Sequence, residues 1–190
     1  AAKIGPVQYL TLTDAFEAGS MQMGATIELL QDANFTDEAE SLTASGDITL
    51  DTCGFSIQSD NANITVARNG RLTVKNSRGT DVTLNIPIFI ENSAVLEASG
   101  DALLSHVSVS NGGTLICTAG TIGLLTLAGS GTDYNITLAD GNGYCTVSDG
   151  IAAENSDVTV ENLLKKHPNL ALHAGNGQIP RSETIESIQS

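Results

Sequence analysis

Two pairs of aspartates bracket short apolar stretches: Asp47 with Asp51 around Ile48-Thr49-Leu50, and Asp140 with Asp149 around Tyr144-Cys145-Thr146-Val147. Paired carboxylates can act as acid and as base or nucleophile on one bond when they stand within about 5–10 Å of each other. Four steps along an extended chain put Asp47 and Asp51 about 13 Å apart, too far to share a bond. Asp140 and Asp149 have no Lys, Arg or His near them in the sequence. Both pairs therefore read as solvated corner charges.

The other reactive side chains are as scattered. His106 has Ser105 and Ser108 beside it, but nothing places either serine in a nucleophile elbow. His167 and His173 flank Pro168 at no metal-ligand spacing. Cys53, Cys117 and Cys145 are far apart, odd in number and without a C-x-x-C pair; they read as small buried hydrophobes rather than zinc ligands. Asp133 and Asp140 lie near glycines, yet no D-x-D-x-D-G calcium loop is written. The expectation is no catalytic residue, no metal and no cofactor.

One charge feature is concentrated. Arg68, Arg71, Lys75 and Arg78 are half of the eight basic side chains, within eleven positions of a chain of formal net charge −14. An exposed patch of this kind could hold a carboxylate or sulfate of a glycan, or an acidic face of a neighbouring domain; the simpler reading is solubilising charge on an exposed corner. The acidic balance itself disfavours nucleic acid and anionic membrane surfaces. With no Trp and seven other aromatics, a sugar-stacking lectin face is also disfavoured. At 41% hydrophobic residues, the acidity reads as the skin of a packed core rather than disorder. No run of 18 apolar residues is written, so no membrane-spanning helix is expected. The lack of an initiator Met and of a basic-apolar leader reads as a processed or excised piece.

The elements that would carry these residues repeat. Apolar–Thr–apolar triplets recur at residues 48–50, 64–66, 72–74, 82–84, 125–127, 136–138, 145–147 and 158–160, with Ser versions at 55–57 and 107–109. Period-two alternation rich in Val, Ile and Thr predicts strands of about three to five residues, Thr outward and its neighbours inward. Ile48, Leu50, Ile57, Ile64, Val66, Leu72, Val74, Val82 and Leu84 are the predicted core of these strands. Asn-Gly, Ser-Gly and Gly-Asn-Gly pieces between them supply corners. A β-sandwich also has many short strands. Shortness and the recurrence of the same lettering favour a solenoid, in which each coil is the template for the next. Roughly seven coils of about 20 residues are expected from residue 25 to 162. The stretch 11–18 predicts a short amphipathic helix, capped by Thr11 or Thr13 and ended by Gly19.

The opening, "AKIGPVQYLTLTDAFEAGSMQMGATIELLQD" (residues 2–32), resembles the first segment of right-handed parallel β-helix domains in surface proteins of Gram-positive gut bacteria. Ile4-Gly5, Tyr9, Thr11-Leu12, Ala15, Gly24, Thr26-Ile27, Leu29-Leu30 and Asp32 fit that pattern. "ITLDTCGFSI" (48–57) is similar to a coil of the same family, with Thr52-Cys53 in place of Leu-Asn, and Leu138-Ala139-Asp140-Gly141 with Tyr144 resembles a late element. The resemblance implies an all-β, right-handed parallel β-helix of the pectin-lyase-like kind, one domain over 1–190: cap and first strand 1–32, coils 33–162, C-terminal cap and tail 163–190. It implies a non-enzymatic, extracellular surface module, adhesin-like or a spacer, of a larger secreted or wall-attached bacterial protein. The expected partners are a host glycoprotein, glycan or antibody and neighbouring domains of the same polypeptide. The alternative is a polysaccharide lyase or glycoside hydrolase fragment.

Overall fold

The computed structural model describes residues 2–35, 40–100, 102–138, 143–158, 173–174 and 177–178. The chain begins with a hairpin, β1 (Ala2–Ile4) and β2 (Val7–Tyr9), followed by α1 (Leu12–Ser20). It then winds through β3 (Ala25–Leu29), β4 (Ala33–Phe35) and β5 (Ser41–Ala44); β6 (Asp47–Asp51), β7 (Ile57–Ser59) and β8 (Asn63–Val66); β9 (Arg71–Lys75) and β10 (Val82–Ile90). The later rungs are β11 (Val95–Ala98) and β12 (Ala102–Ser110); β13 (Thr114–Cys117) and β14 (Thr121–Ala128); and β15 (Asn135–Thr137), β16 (Thr146–Val147) and β17 (Ile151–Ala153).

The strands stack as a parallel β-solenoid. One wall, sheet A, runs β3-β6-β9-β11-β13-β15; the other, sheet B, runs from β4 and β5 through β7 and β8 to β10, β12, β14 and then β16 and β17. All these pairings are parallel and join strands one coil apart, which rules out the sandwich. Six rungs in sheet A make about five turns. Their register steps from Ile48 to Leu72 to Leu96 at one even spacing, then by two shorter steps to Leu115 and Ile136. The early coils are thus longer than expected, which lowers the count of turns from seven.

The shortening lies largely in the corners: six residues separate β9 from β10, but three separate β11 from β12 and three separate β13 from β14. Sheet B also changes along the stack, without altering the length of the coil in which it does so. In the early coils sheet B is broken by a corner at residues 60–62, between β7 and β8. In the third coil β10 pairs with both of them, crossing the break as one nine-residue strand. β12 and β14 keep that merged form. The expected three-to-five-residue strands hold for sheet A and fail for these three.

Period-two alternation sets the inside. Ile48, Leu50, Ile57, Ile64, Val66, Leu72, Val74, Val82 and Leu84 are all buried, and Thr49, Thr65, Thr73 and Thr83 face outward, half-exposed. Like stacks on like: Ile48, Leu72, Leu96, Leu115 and Ile136 form one inward column, and Thr26, Thr49 and Thr73 one outward column.

The first coil is closed by the hairpin and helix. β1 pairs antiparallel with β3, so the open edge passes to the short strand β2, and short edge strands are poor templates for association. Helix α1 buries Leu12, Ala15, Phe16 and Gly19. Its cap is Thr11, whose hydroxyl accepts from the Asp14 N–H at 3.0 Å; the other candidate, Thr13, instead donates to Glu40. Gly19 does not end the helix, which runs on to Ser20. It is a packing position: a Cβ there would meet Ile27 Cδ1 at 3.3 Å. The expected C-terminal cap lies outside the described residues, apart from an antiparallel pair of two-residue strands, β18 (His173–Ala174) and β19 (Gly177–Gln178).

The stack makes a sharp comparison available. Leu72→Ala should cost about 2–5 kcal/mol, because its cavity sits between fixed neighbours above and below, whereas Thr73→Ala should stay within about 0.5 kcal/mol. Urea unfolding of both variants checks this, and equal costs would mean that the inward and outward sets are misassigned.

Candidate functional site

The four clustered cations lie on one rung. Arg68 is in the corner before β9, Arg71 and Lys75 are its two ends, and Arg78 is in the corner after it. Arg71 and Lys75 are thus about 13 Å apart along the strand. Stacking of positions 68 and 71 over 75 and 78 does not occur, because rung neighbours come from other coils: Arg71 stands beside Asp47 and Val95, and Lys75 beside Asp51.

Each of the four has local company. Arg71 leans towards the following rung and pairs with Glu97. Lys75 leans towards the preceding rung, its Nζ 3.4 Å from Asp51 Oδ2. The Arg78 guanidinium lies 5.5 Å from the centre of the Phe55 ring, within cation–π range. Arg68 offers Nη2 to Asn92 Oδ1 at 3.5 Å, and its backbone N–H donates to Glu91 Oε2 at 2.8 Å. The row is a string of exposed cations with paired neighbours, set along one rung and its corners.

The acids that bracket β6 have separate roles. Asp47 is exposed at the start of the strand. Asp51, at its end, is buried, with 4% of its surface accessible. Its Oδ1 accepts from the N–H of Cys53 and, one coil on, from the N–H of Ser77, each at 3.0 Å. Burial by itself would raise this carboxyl, but the Ser77 and Cys53 donors outweigh it and hold the pKa below the ordinary aspartate value of 3.8. The bonds clamp a tight corner in which Cys53 and Gly54 both take positive φ, 49° and 82°. The sequence reading missed this role because Ser77 belongs to the next coil, far from Asp51 along the chain. Burial, followed by the Asp51 charge, pushes the Cys53 thiol up, away from a reactive thiolate.

The same device recurs. Asp32 accepts from Ser56 N–H, Glu91 from Arg68 N–H, Asn76 from Gly54 N–H, Asn111 from Asp133 N–H and Glu154 from Gly129 N–H. Every one of these bonds joins adjacent coils. Lys3 with Glu28 adds an ion pair at 3.0 Å.

His106 lies on the outer face of sheet B. Its Nε2 is 2.9 Å from the Thr126 hydroxyl and its ring meets Phe89 edge-on, centroids 6.3 Å apart. Burial holds its pKa below the usual histidine value, so it is neutral at pH 7. Asp140 and His167 lie outside the described residues, as does the side chain of His173. Among the described residues no three His, Cys, Asp or Glu side chains converge as a metal site, and no helix is long and apolar enough to cross a membrane.

Charge is divided between the walls. Lys3, Glu28, Asp47, Asp51, Arg71, Lys75 and Glu97 all lie on strands of sheet A or its hairpin, whereas the sheet B strands β4, β5, β7, β8, β10, β12, β14, β16 and β17 carry no Lys, Arg, Asp or Glu. No protein-family model, curated protein or solved structure matches the chain.

The Asp51 clamp separates two kinds of contribution. Asp51→Ala leaves two corner N–H groups without their acceptor and should cost about 2–4 kcal/mol. Lys75→Ala removes a pair on a half-exposed cation and should cost less than about 1 kcal/mol. Because the folded pKa of Asp51 is depressed, its contribution is present above the unfolded value near 3.8 and is lost as pH falls through the folded value. The gap between wild type and Asp51→Asn in urea unfolding should therefore be full at pH 7 and close under strong acid. A gap that is the same at pH 7 and pH 2 would show that the charge plays no part.

Proposed function

We propose that the chain is a non-enzymatic module of a larger secreted or wall-attached bacterial protein, acting as a spacer or adhesin-like arm at the cell surface. The pectin-lyase-like, right-handed form of the solenoid and the Gram-positive gut origin belong to this reading and rest on the resemblance of residues 2–32 and 48–57. One observation supports it most: six of the acidic side chains are struts. Asp32, Asp51, Glu91 and Glu154 each accept a backbone N–H from the adjacent coil, and Glu28 and Glu97 are paired with cations. A polysaccharide-cleaving face needs carboxylates freed towards one bond; these six are committed to tying neighbouring strands and coils together. A solenoid so tied is stiff along its axis, the property a spacer needs.

Any binding through charge runs along the Arg68, Arg71, Lys75 and Arg78 row, with an anionic host glycan, a glycoprotein or an antibody as the partner class. Exposed pairs contribute about 0.2–1 kcal/mol each, so such binding is weak, salt-sensitive and strengthened by repetition of modules.

The test has two arms. Incubation with neutral and uronate-containing polysaccharides should release no reducing ends and no unsaturated uronate; turnover in either assay establishes the enzymatic alternative. Binding to mucin, matrix proteins, sulfated glycans and immunoglobulin is then measured at low and high salt. The Arg68→Ser, Arg71→Ser, Lys75→Ser, Arg78→Ser quadruple variant should keep the fold and lose any salt-sensitive binding. Binding that ignores both salt and the four substitutions removes the row from the mechanism, and no binding to any target leaves the spacer role.

A further inference from the structure

The three cysteines are not equivalent. Cys53 sits in the Asp51 corner, with the Ser77 hydroxyl 3.8 Å from its sulfur. Cys117 and Cys145 are buried together near the C-terminal end of the stack. Cys117 ends β13, whose register with β15 sets Ile116 beside Thr137, so Cys117 lies beside Leu138. The Leu138 carbonyl in turn accepts the Cys145 N–H at 2.7 Å. The backbones around the two cysteines also press together: a Cβ on Gly143 would come within 2.8 Å of the Thr118 carbonyl oxygen. The Cys117 thiol donates to the Ala119 carbonyl at 3.2 Å, and the Cys145 sulfur lies 3.7 Å from the Thr146 carbonyl oxygen.

We propose that Cys117 and Cys145 form a disulfide that fastens the last rungs of the solenoid, while Cys53 stays a free thiol. The reason to fasten this end is topological. A rung inside the stack is held from both sides, whereas among the described residues β15 and β16 have a ladder partner on one side only, and strands so held open first. The bond would close the loop from 117 to 145 and hold β15 and the start of β16 against β13. Constraint of the open chain is the larger part of what such a bond contributes.

The oxidant is a small-molecule disulfide acting by exchange. The pair is polarised for the first step: the Cys145 side chain beside it holds the Cys117 thiol below its ordinary pKa, and the Cys117 side chain together with burial pushes Cys145 well above its own. Cys117 loses its proton to water and its thiolate attacks one sulfur of the small disulfide, expelling one thiolate and leaving a mixed disulfide. Cys145 then gives up its proton to that thiolate and attacks the Cys117 sulfur, expelling the second. Two protein thiols and one small disulfide become one protein disulfide and two small thiols. Both sulfurs are buried, so the exchange proceeds through opening of the end rungs.

The experiment uses the intact folded chain. The reduced protein is held with oxidised glutathione a few degrees below its melting temperature, alkylated, and cut before aspartate. No Lys or Arg lies between Arg78 and Lys165, so trypsin would leave both cysteines on one peptide, whereas Asp60, Asp101, Asp133, Asp140 and Asp149 put Cys53, Cys117 and Cys145 on three. The expected map links the peptides carrying Cys117 and Cys145 and leaves Cys53 alkylated. Oxidation should raise the melting temperature by about 10 °C; the rise should survive Cys53→Ser and vanish in Cys117→Ser and Cys145→Ser. Alkylation of all three cysteines after oxidation, or a bridge to Cys53, overturns the proposal, and the peptide map decides it even if a serine variant fails to fold.

Discussion

Every coil of this chain must satisfy the backbone of the coil before it, and that single constraint orders the rest. A parallel rung offers a full row of N–H and C=O groups to each neighbour, so residue i is bound to what stands about one coil later. Inward positions become columns of aliphatics, and outward positions become columns of Thr. At the corners, where the ladder stops, the orphaned N–H groups need acceptors that an adjacent coil must supply. Asp51 for Ser77, Asp32 for Ser56, Glu91 for Arg68 and Asn111 for Asp133 are the same solution written four times.

That dependence explains what was legible in the sequence. Strand alternation is local, so Ile48-Thr49-Leu50 and Leu72-Thr73-Val74 declared both their inward residues and their stacking without any knowledge of the fold. The helix start was legible for the same reason, since the Thr11 cap acts within the helix's own first turn. Coil length was not. It depends on how many residues each corner takes, six between β9 and β10 but three between β11 and β12, and nothing short-range announces that change. A small error in coil length then hides every strut, because partners such as Arg71 and Glu97, one rung apart, can be matched only when the length of that coil is known. Asp51 looked like a surface charge for want of Ser77.

The candidate cation row shows the limit in another way. Its composition was plain in the sequence, and its exposure is consistent with contact to an anion. Its geometry follows from the rung: four cations strung along one strand and its corners make a line rather than a pocket. A line suits an extended, repeating partner better than a compact one, because each contact is separately weak and only a ligand that touches several in turn gains from them.

The division of charge between the two walls follows from the struts. An ion pair between adjacent coils needs both partners on one face at matching register, and such pairs form on sheet A, with Lys3–Glu28, Lys75–Asp51 and Arg71–Glu97 each crossing one rung. On sheet B the same outward columns are neutral: Asn34, Gln58 and Asn85 in one, with the Asn85 amide donating to Gln58 at 3.0 Å, and Thr43, Thr65, Phe89, Ser108 and Thr126 in another. In a chain with a net charge of −14, like charges stacked about 4.8 Å apart on this wall would repel from rung to rung. Neutral side chains avoid that cost, and an amide can still bond its own kind one coil away, as Asn85 does with Gln58. Sheet B is therefore the wall on which this acidic chain can be approached without charge repulsion from the strands themselves, and sheet A the wall on which an approaching ion meets charge of both signs.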